Sequence, residues 1–218
     1  MLLEALRIKV LEAARDLKRL GLVWMAGGTI CARDPESGLV VVTPSGMPYE
    51  DLTPKDIVIT DMDLHVVEGA LRPSVAMGLW TGIFRARNDV NALVHTHSVY
   101  ATAFSVAFAP IPVATETMAD WFDRPIQVAP YAHVEDPEFI TGPIAALGKG
   151  QAVLLGKHGP ITVGKNLEHA MERAVTLEEA AKTYTMARLL GIPQVFSESE
   201  NLRSYEFYHN RYGQREES

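Results

Sequence analysis

Gln151-Ala152-Val153-Leu154-Leu155-Gly156-Lys157-His158-Gly159-Pro160-Ile161-Thr162-Val163-Gly164-Lys165-Asn166 holds two short apolar runs on either side of a glycine-bounded turn, with a helix start directly after them. Gln151–Leu155 and Ile161–Val163 are predicted strands, since both are apolar, partly β-branched and bounded by glycine. Asn166 is a good N-cap, and a long helix is predicted from it to Leu190, where Gly191 and Pro193 end it. Working back along the chain, Asn91–Ser98, Ile57–Ile59 and Gly38–Thr43 are predicted strands, with Ile111–Thr115 and Ile126–Ala129 as further strand candidates. Leu3, Leu6, Val10, Ala13, Leu17 and Leu20 recur at helical spacing before Gly21. Further helices are predicted from Pro73 towards Arg87 and over Tyr100–Phe108. Ala26-Gly27-Gly28-Thr29 and Pro44-Ser45-Gly46 are turns. Strands and helices do not alternate strictly. The expected fold is therefore α/β of the α+β type: one domain, residues 1–218, with a mainly antiparallel sheet and helices on both faces. The tail after Pro193 is polar and aromatic (Tyr205, Phe207, Tyr208, His209, Arg211, Tyr212), a loose end or an arm.

Composition excludes several classes of function. The chain of 218 residues carries a net charge of −7, which gives no basic field for nucleic acid or an anionic membrane. An anionic substrate has to be captured by local groups. Cys31 is the single cysteine, so no intrachain disulfide forms, in keeping with a cytoplasmic setting. No apolar run is long enough to span a bilayer, and the charged N-terminal segment lacks the apolar core of a signal peptide.

His95-Thr96-His97 lies on a predicted strand, where residues two apart project to the same face. Two imidazoles side by side suit one cation, and His158 in its glycine-flanked turn is the natural third ligand. Spacing alone leaves a second explanation open, that these are ordinary hydrogen-bonded histidines.

Longer motifs add to this. Thr43-Pro44-Ser45-Gly46-Met47-Pro48-Tyr49, Glu68-Gly69, Pro73-Ser74, His95-Thr96-His97-Ser98, Lys157-His158-Gly159-Pro160 and Gly164-Lys165-Asn166 follow one another in the chain. Together they resemble the class II aldolase family, which includes L-fuculose-phosphate aldolase and L-ribulose-5-phosphate 4-epimerase. The resemblance runs from about Gly27 to Gly213. It implies one divalent metal ion per chain on His95, His97 and His158, with zinc favoured and manganese or cobalt as alternatives. Met118-Ala119-Asp120-Trp121-Phe122 and Arg211-Tyr212-Gly213-Gln214 are similar to the epimerase segments that carry a catalytic aspartate and tyrosine, which implies those roles for Asp120 and Tyr212. The implied chemistry is retro-aldol cleavage of a carbon–carbon bond beside a metal-polarised carbonyl, followed in an epimerase by rejoining on the other face. The resemblance also implies a homotetramer with shared active sites and with residues 194–218 at an interface, acting on a small sugar phosphate or hydroxy-carbonyl compound.

The sequence departs from the family pattern at its acid. The usual Pro-Ser-Ser followed by Glu or Asp is Pro73-Ser74-Val75-Ala76 here, with Trp80 where a histidine is usual. The Gly-Asn turn of the phosphate site is Gly27-Gly28-Thr29-Ile30, and a lysine of the epimerase is Thr43. Gly28, Thr29, Thr43, Ser45, Gly46 and Ser74 are the expected substrate or phosphate contacts. Glu116 or Asp120 is the expected source of a replacement carboxylate. The expected activity is that of a metal-dependent sugar-phosphate epimerase; the alternatives are an aldolase or decarboxylase acting on a related substrate with or without a phosphate, and a metal-binding member without catalysis. A fourth, an adducin-like assembly domain, is disfavoured by the complete histidine set.

Overall fold

The computed structural model describes residues 1–214; the last four residues of the expected domain and arm, 215–218, lie outside the described residues. Eight strands form one sheet. They are β1 (Thr29–Arg33), β2 (Val40–Val42), β3 (Val58–Thr60), β4 (Val66–Glu68), β5 (Ala92–His95), β6 (Gln127–Ala129), β7 (Ala152–Leu155) and β8 (Gly159–Gly164). Their order is β4-β3-β2-β1-β5-β8-β7-β6, and every pair is antiparallel except β6 with β7. The expected mainly antiparallel sheet is the one found.

Among the described residues, seven α-helices cover it: α1 (Glu4–Arg19), α2 (Met77–Ala86), α3 (Val99–Ala107), α4 (Glu116–Trp121), α5 (Glu138–Leu147), α6 (Leu167–Leu190) and α7 (Glu198–Arg211). Successive strand residues serve opposite faces. Ile30 and Ala32 pack with α1 and α6, while Cys31 between them packs with α2. Val153 and Leu155 join α2 and α5, while Ala152 and Leu154 face α3, α4 and α6. Central strands are thus buried on both sides, and their sequences are unbroken apolar runs for that reason.

Five differences from the sequence expectation have physical causes. Strand β1 leaves a Gly-Gly turn with a mixed composition, and β4 is a three-residue edge strand with exposed valines. Helix α5 contains Gly142-Pro143, which interrupts any helical pattern. Ile111–Thr115 is not a strand: only Ile111 bridges to Ile126, and Thr115 instead N-caps α4, its Oγ1 accepting from the Met118 amide at 3.2 Å. The tail is no loose end. Ser197 and Glu200 form a capping box, and α7 packs on α4 with Tyr208 5.3 Å from the Trp121 ring.

The long helix α6 starts as expected, with the Asn166 side chain accepting from the His169 amide at 2.9 Å. Asn166→Ala should lower stability by about 1 kcal/mol in urea unfolding without changing the slope; an unchanged midpoint would remove the cap from the account.

Candidate metal centre

His95 ends β5. The strand stops there, two residues before the His97 that strict strand alternation would have to reach. A single further backbone bond, Thr96 N–H to Pro160 O at 3.1 Å, carries the pairing with β8 onward. The two rings nevertheless meet: His95 Nε2 and His97 Nε2 are 3.1 Å apart, and His97 Nε2 and His158 Nε2 are 3.0 Å apart. One ring nitrogen from each of the three lies within 4.8 Å of the others. Tetrahedral zinc with bonds of about 2.0–2.1 Å holds its donors a little over 3 Å apart, so the spacing fits one ion.

The protonation state fits as well. His95 Nδ1 lies 3.0 Å from the Pro160 carbonyl oxygen, which only accepts, so Nδ1 carries the proton and Nε2 keeps its lone pair. Burial, then the neighbouring His158 and His97 rings, push His95 well below its ordinary pKa. Burial lowers His97, and burial followed by the His97 charge lowers His158 to about 4. All three rings are neutral donors near pH 7.

The backbone around the rings admits nothing larger than glycine. A Cβ on Gly27 would stand 2.9 Å from His97 Nδ1; one on Gly28 would be 2.6 Å from Val23 Cγ1 and 3.0 Å from the His95 carbonyl. One on Gly159 would be 2.4 Å from the Thr96 carbonyl. Two further residues position the ligands. Ser105, fully buried in α3, takes the His158 amide on its Oγ at 3.1 Å and bonds the Leu155 carbonyl. Glu178 of α6 accepts the Tyr100 and Ala101 amides at 2.9 Å each, closing the N-terminus of the helix that follows His97. Residues that act through backbone groups far away in the chain leave no spacing signal in the sequence.

The histidines open onto a cavity of about 450 Å³. Gly28, Thr29, Ser45, Gly46 and Ser74 line it beside them, as do Ala76 and Trp80. The Trp80 indole N–H donates to Ser74 Oγ at 3.1 Å, its ring lies 5.8 Å from that of His95, and Thr29 Oγ1 is 3.3 Å from Ser74 Oγ. Thr43 is not on the cavity: it is buried, its Oγ1 accepting from the Ile30 amide at 3.3 Å. Glu116, Asp120 and Tyr212 are not on it either. Glu116 binds Ser204 Oγ at 2.5 Å, and Tyr212 stacks on Tyr208 at 5.1 Å. Burial, then the Glu116 charge, raise the Asp120 pKa. Tyr131, His133 and Lys157 also line the cavity. Tyr131 and His133 sit in a loop after β6 that no motif pointed to.

The profile of the Class II Aldolase and Adducin N-terminal domain matches residues 8–185. The chain belongs to the class II aldolase and adducin family. Its fold is similar to that of an L-fuculose 1-phosphate aldolase, 28% identical with a TM-score of 0.89 over 93% of this chain and 95% of that one. It is also similar to the L-fuculose-1-phosphate aldolase of Thermus thermophilus, 26% identical with a TM-score of 0.73 over 83% and 93%. YgbL from Escherichia coli, 23% identical with a TM-score of 0.82 over 93% and 98%, shares the fold. Class II aldolases use a divalent metal, and among the described residues of this family member the histidine triad is a group able to bind one. Among the described residues, no helix is long and apolar enough to cross a membrane.

Histidines with lowered pKa values make the metal-free protein sensitive to acid. As pH falls below the ordinary 6.5, the unfolded chain takes up protons that His158, at about 4, refuses. Stability of the metal-free protein should therefore fall as pH drops from about 6.5 to 4, and His158→Ala should flatten that slope in denaturant titrations. An equal slope in the variant would show that His158 is not held neutral.

Proposed function

We propose that this chain is a metal-dependent enzyme of the aldolase type that cleaves a carbon–carbon bond in a small hydroxy-carbonyl substrate, working as a homotetramer in the cytoplasm. The observation that carries this is the convergence of three neutral imidazole nitrogens on a cavity that also presents hydroxyls from Thr29, Ser45 and Ser74. A bound divalent cation, zinc by preference for three imidazoles, supplies Lewis-acid polarisation of the substrate carbonyl and its neighbouring hydroxyl.

The rest of the chemistry falls to the chain. His95, His97 and His158 leave a coordination position open to the substrate, since Ala76 contributes only a methyl group to the cavity wall. Ser74 Oγ takes N–H bonds from Trp80 and Ala76, so its own O–H is directed to Thr29 or to a substrate oxygen. A methyl group moves no proton, and no carboxylate is among the residues lining the cavity. A carboxylate that takes the proton leaving the substrate hydroxyl therefore comes from outside the single-chain cavity. We assign Asp120 and Tyr212 of a neighbouring copy to this work. The raised pKa of Asp120 suits a carboxyl that takes up a proton more readily than an ordinary aspartate. The interface role of residues 194–218 belongs to the same proposal, as does binding of a phosphate or other polar group by Gly28, Thr29, Ser45, Gly46 and Ser74.

An epimerase is the second reading. It is favoured by Asp120 and Tyr212 lying near one another, Tyr208 both stacking on Tyr212 and feeling the Asp120 charge. Two proton-handling groups suit an aldehyde that turns over and rejoins. The product distinguishes the two. A metal-loaded preparation given ketose phosphates should release an aldehyde that a dehydrogenase-coupled assay detects. An inverted ketose without free aldehyde would select the epimerase.

Elemental analysis should find about one divalent metal per chain, and His97→Ala should lose it; unchanged stoichiometry in that variant excludes His97 as a ligand. Asp120→Ala and Tyr212→Phe should each lower kcat, and mixed tetramers of either with His97→Ala should recover part of it. No recovery after verified mixing contradicts sharing across the interface.

A further inference from the structure

The walls of the cavity differ in charge. Thr29, Ser45 and Ser74 offer neutral donors on one side. The segments 130–134 and 156–158 add Tyr131, His133 and Lys157. No aspartate or glutamate is among the lining residues, so nothing on the walls offsets a bound divalent cation or the lysine. His133 faces Glu135 at 3.6 Å, outside the lining. Lys157 has no such partner: its ammonium lies 5.3 Å from the Tyr131 ring centroid, and among the described residues no carboxylate is within ion-pair distance of it.

The backbone holds this lysine in place at a cost. Lys157 sits at φ 61°, a left-handed conformation that a side chain rarely adopts. Three contacts impose it. The Lys157 amide donates to the Ser105 carbonyl at 3.2 Å, and the His158 amide donates to Ser105 Oγ. Gly156 packs so closely that a Cβ there would be 2.7 Å from the Ala129 carbonyl and 2.9 Å from the Tyr131 amide. The turn that presents His158 therefore fixes Lys157 beside it, with the ammonium on Tyr131 and free of any carboxylate.

We propose that Lys157 is an anion subsite of this cavity, receiving a carboxylate or phosphate group of the substrate. The substrate class is thereby narrowed to hydroxy-carbonyl compounds bearing an anionic group at the Lys157 wall, separate from whatever group meets the Thr29, Ser45 and Ser74 hydroxyls. A lysine is a mobile point charge with three donors, which suits either anion. The Tyr131 ring restrains it and lowers the ordering needed on binding. This rests on the cavity being the substrate site, and goes beyond it by naming the residue that selects charge.

Calorimetry on the full chain, loaded with zinc and again metal-free, tests it with glycolate, inorganic phosphate and, as a neutral metal ligand at about pH 8, imidazole. Lys157→Gln should weaken glycolate or phosphate binding about ten-fold or more, and leave imidazole binding to the zinc form unchanged. Lys157→Arg should keep most of the anion affinity. Whichever anion loses affinity identifies the group that Lys157 receives, and loss for both marks a general anion subsite. Equal affinities of wild type and Lys157→Gln for both anions, or no anion binding by the wild type in either form, would overturn the proposal. Failure of the metal centre itself shows separately, as absence of bound zinc and of imidazole binding, while the metal-free arm still reports on Lys157.

Discussion

The site depends on the pairing of β5 with β8. That ladder sets His95 opposite Ile161, and it continues as the Thr96 amide on the Pro160 carbonyl. The same carbonyl accepts from His95 Nδ1, so one peptide group fixes both the register of the chain and the tautomer of a ligand. A slip of one residue would turn His95 to the opposite face of the sheet. The other two ligands hang from the same pair of strands. His97 lies just past the end of β5, and His158 lies in the tight turn that leads into β8. Antiparallel neighbours thus bring residues far apart in the chain to one end of the sheet.

Much of this was legible in the sequence. Helix α6 declared its start through Asn166 and its end through Gly191, since caps act locally and through one side chain. The strands on either side of His158 were legible because burial on both faces demands unbroken apolar runs. The histidine triad was legible from spacing and motif, although the strand ends at His95 and the ring of His97 is aimed by the close approach of Gly27 and Gly159. What was illegible depends on the fold. Helix α5 holds a proline that tertiary packing tolerates, and α7 has an aromatic and polar surface that looks like a tail until it docks on α4. Ser105 and Glu178 act through backbone groups distant in sequence, and no spacing rule reports on those.

The departure at Ala76 gives the cavity its character. A carboxylate there would balance part of a cation's charge and accept a proton; a methyl group does neither. Charge balance then shifts to the substrate, and the uncompensated Lys157 ammonium points the same way. In the proposed mechanism the carboxylate that handles the proton is Asp120 of a neighbouring copy, with Tyr212 beside it.

The most direct test of the central claim is X-ray absorption spectroscopy of the zinc-loaded protein. Three imidazole nitrogens at about 2.0–2.1 Å, with the remaining shell from water or added anion, is the predicted result. A shell with fewer than three imidazoles, or one that His158→Ala leaves unchanged, would contradict it.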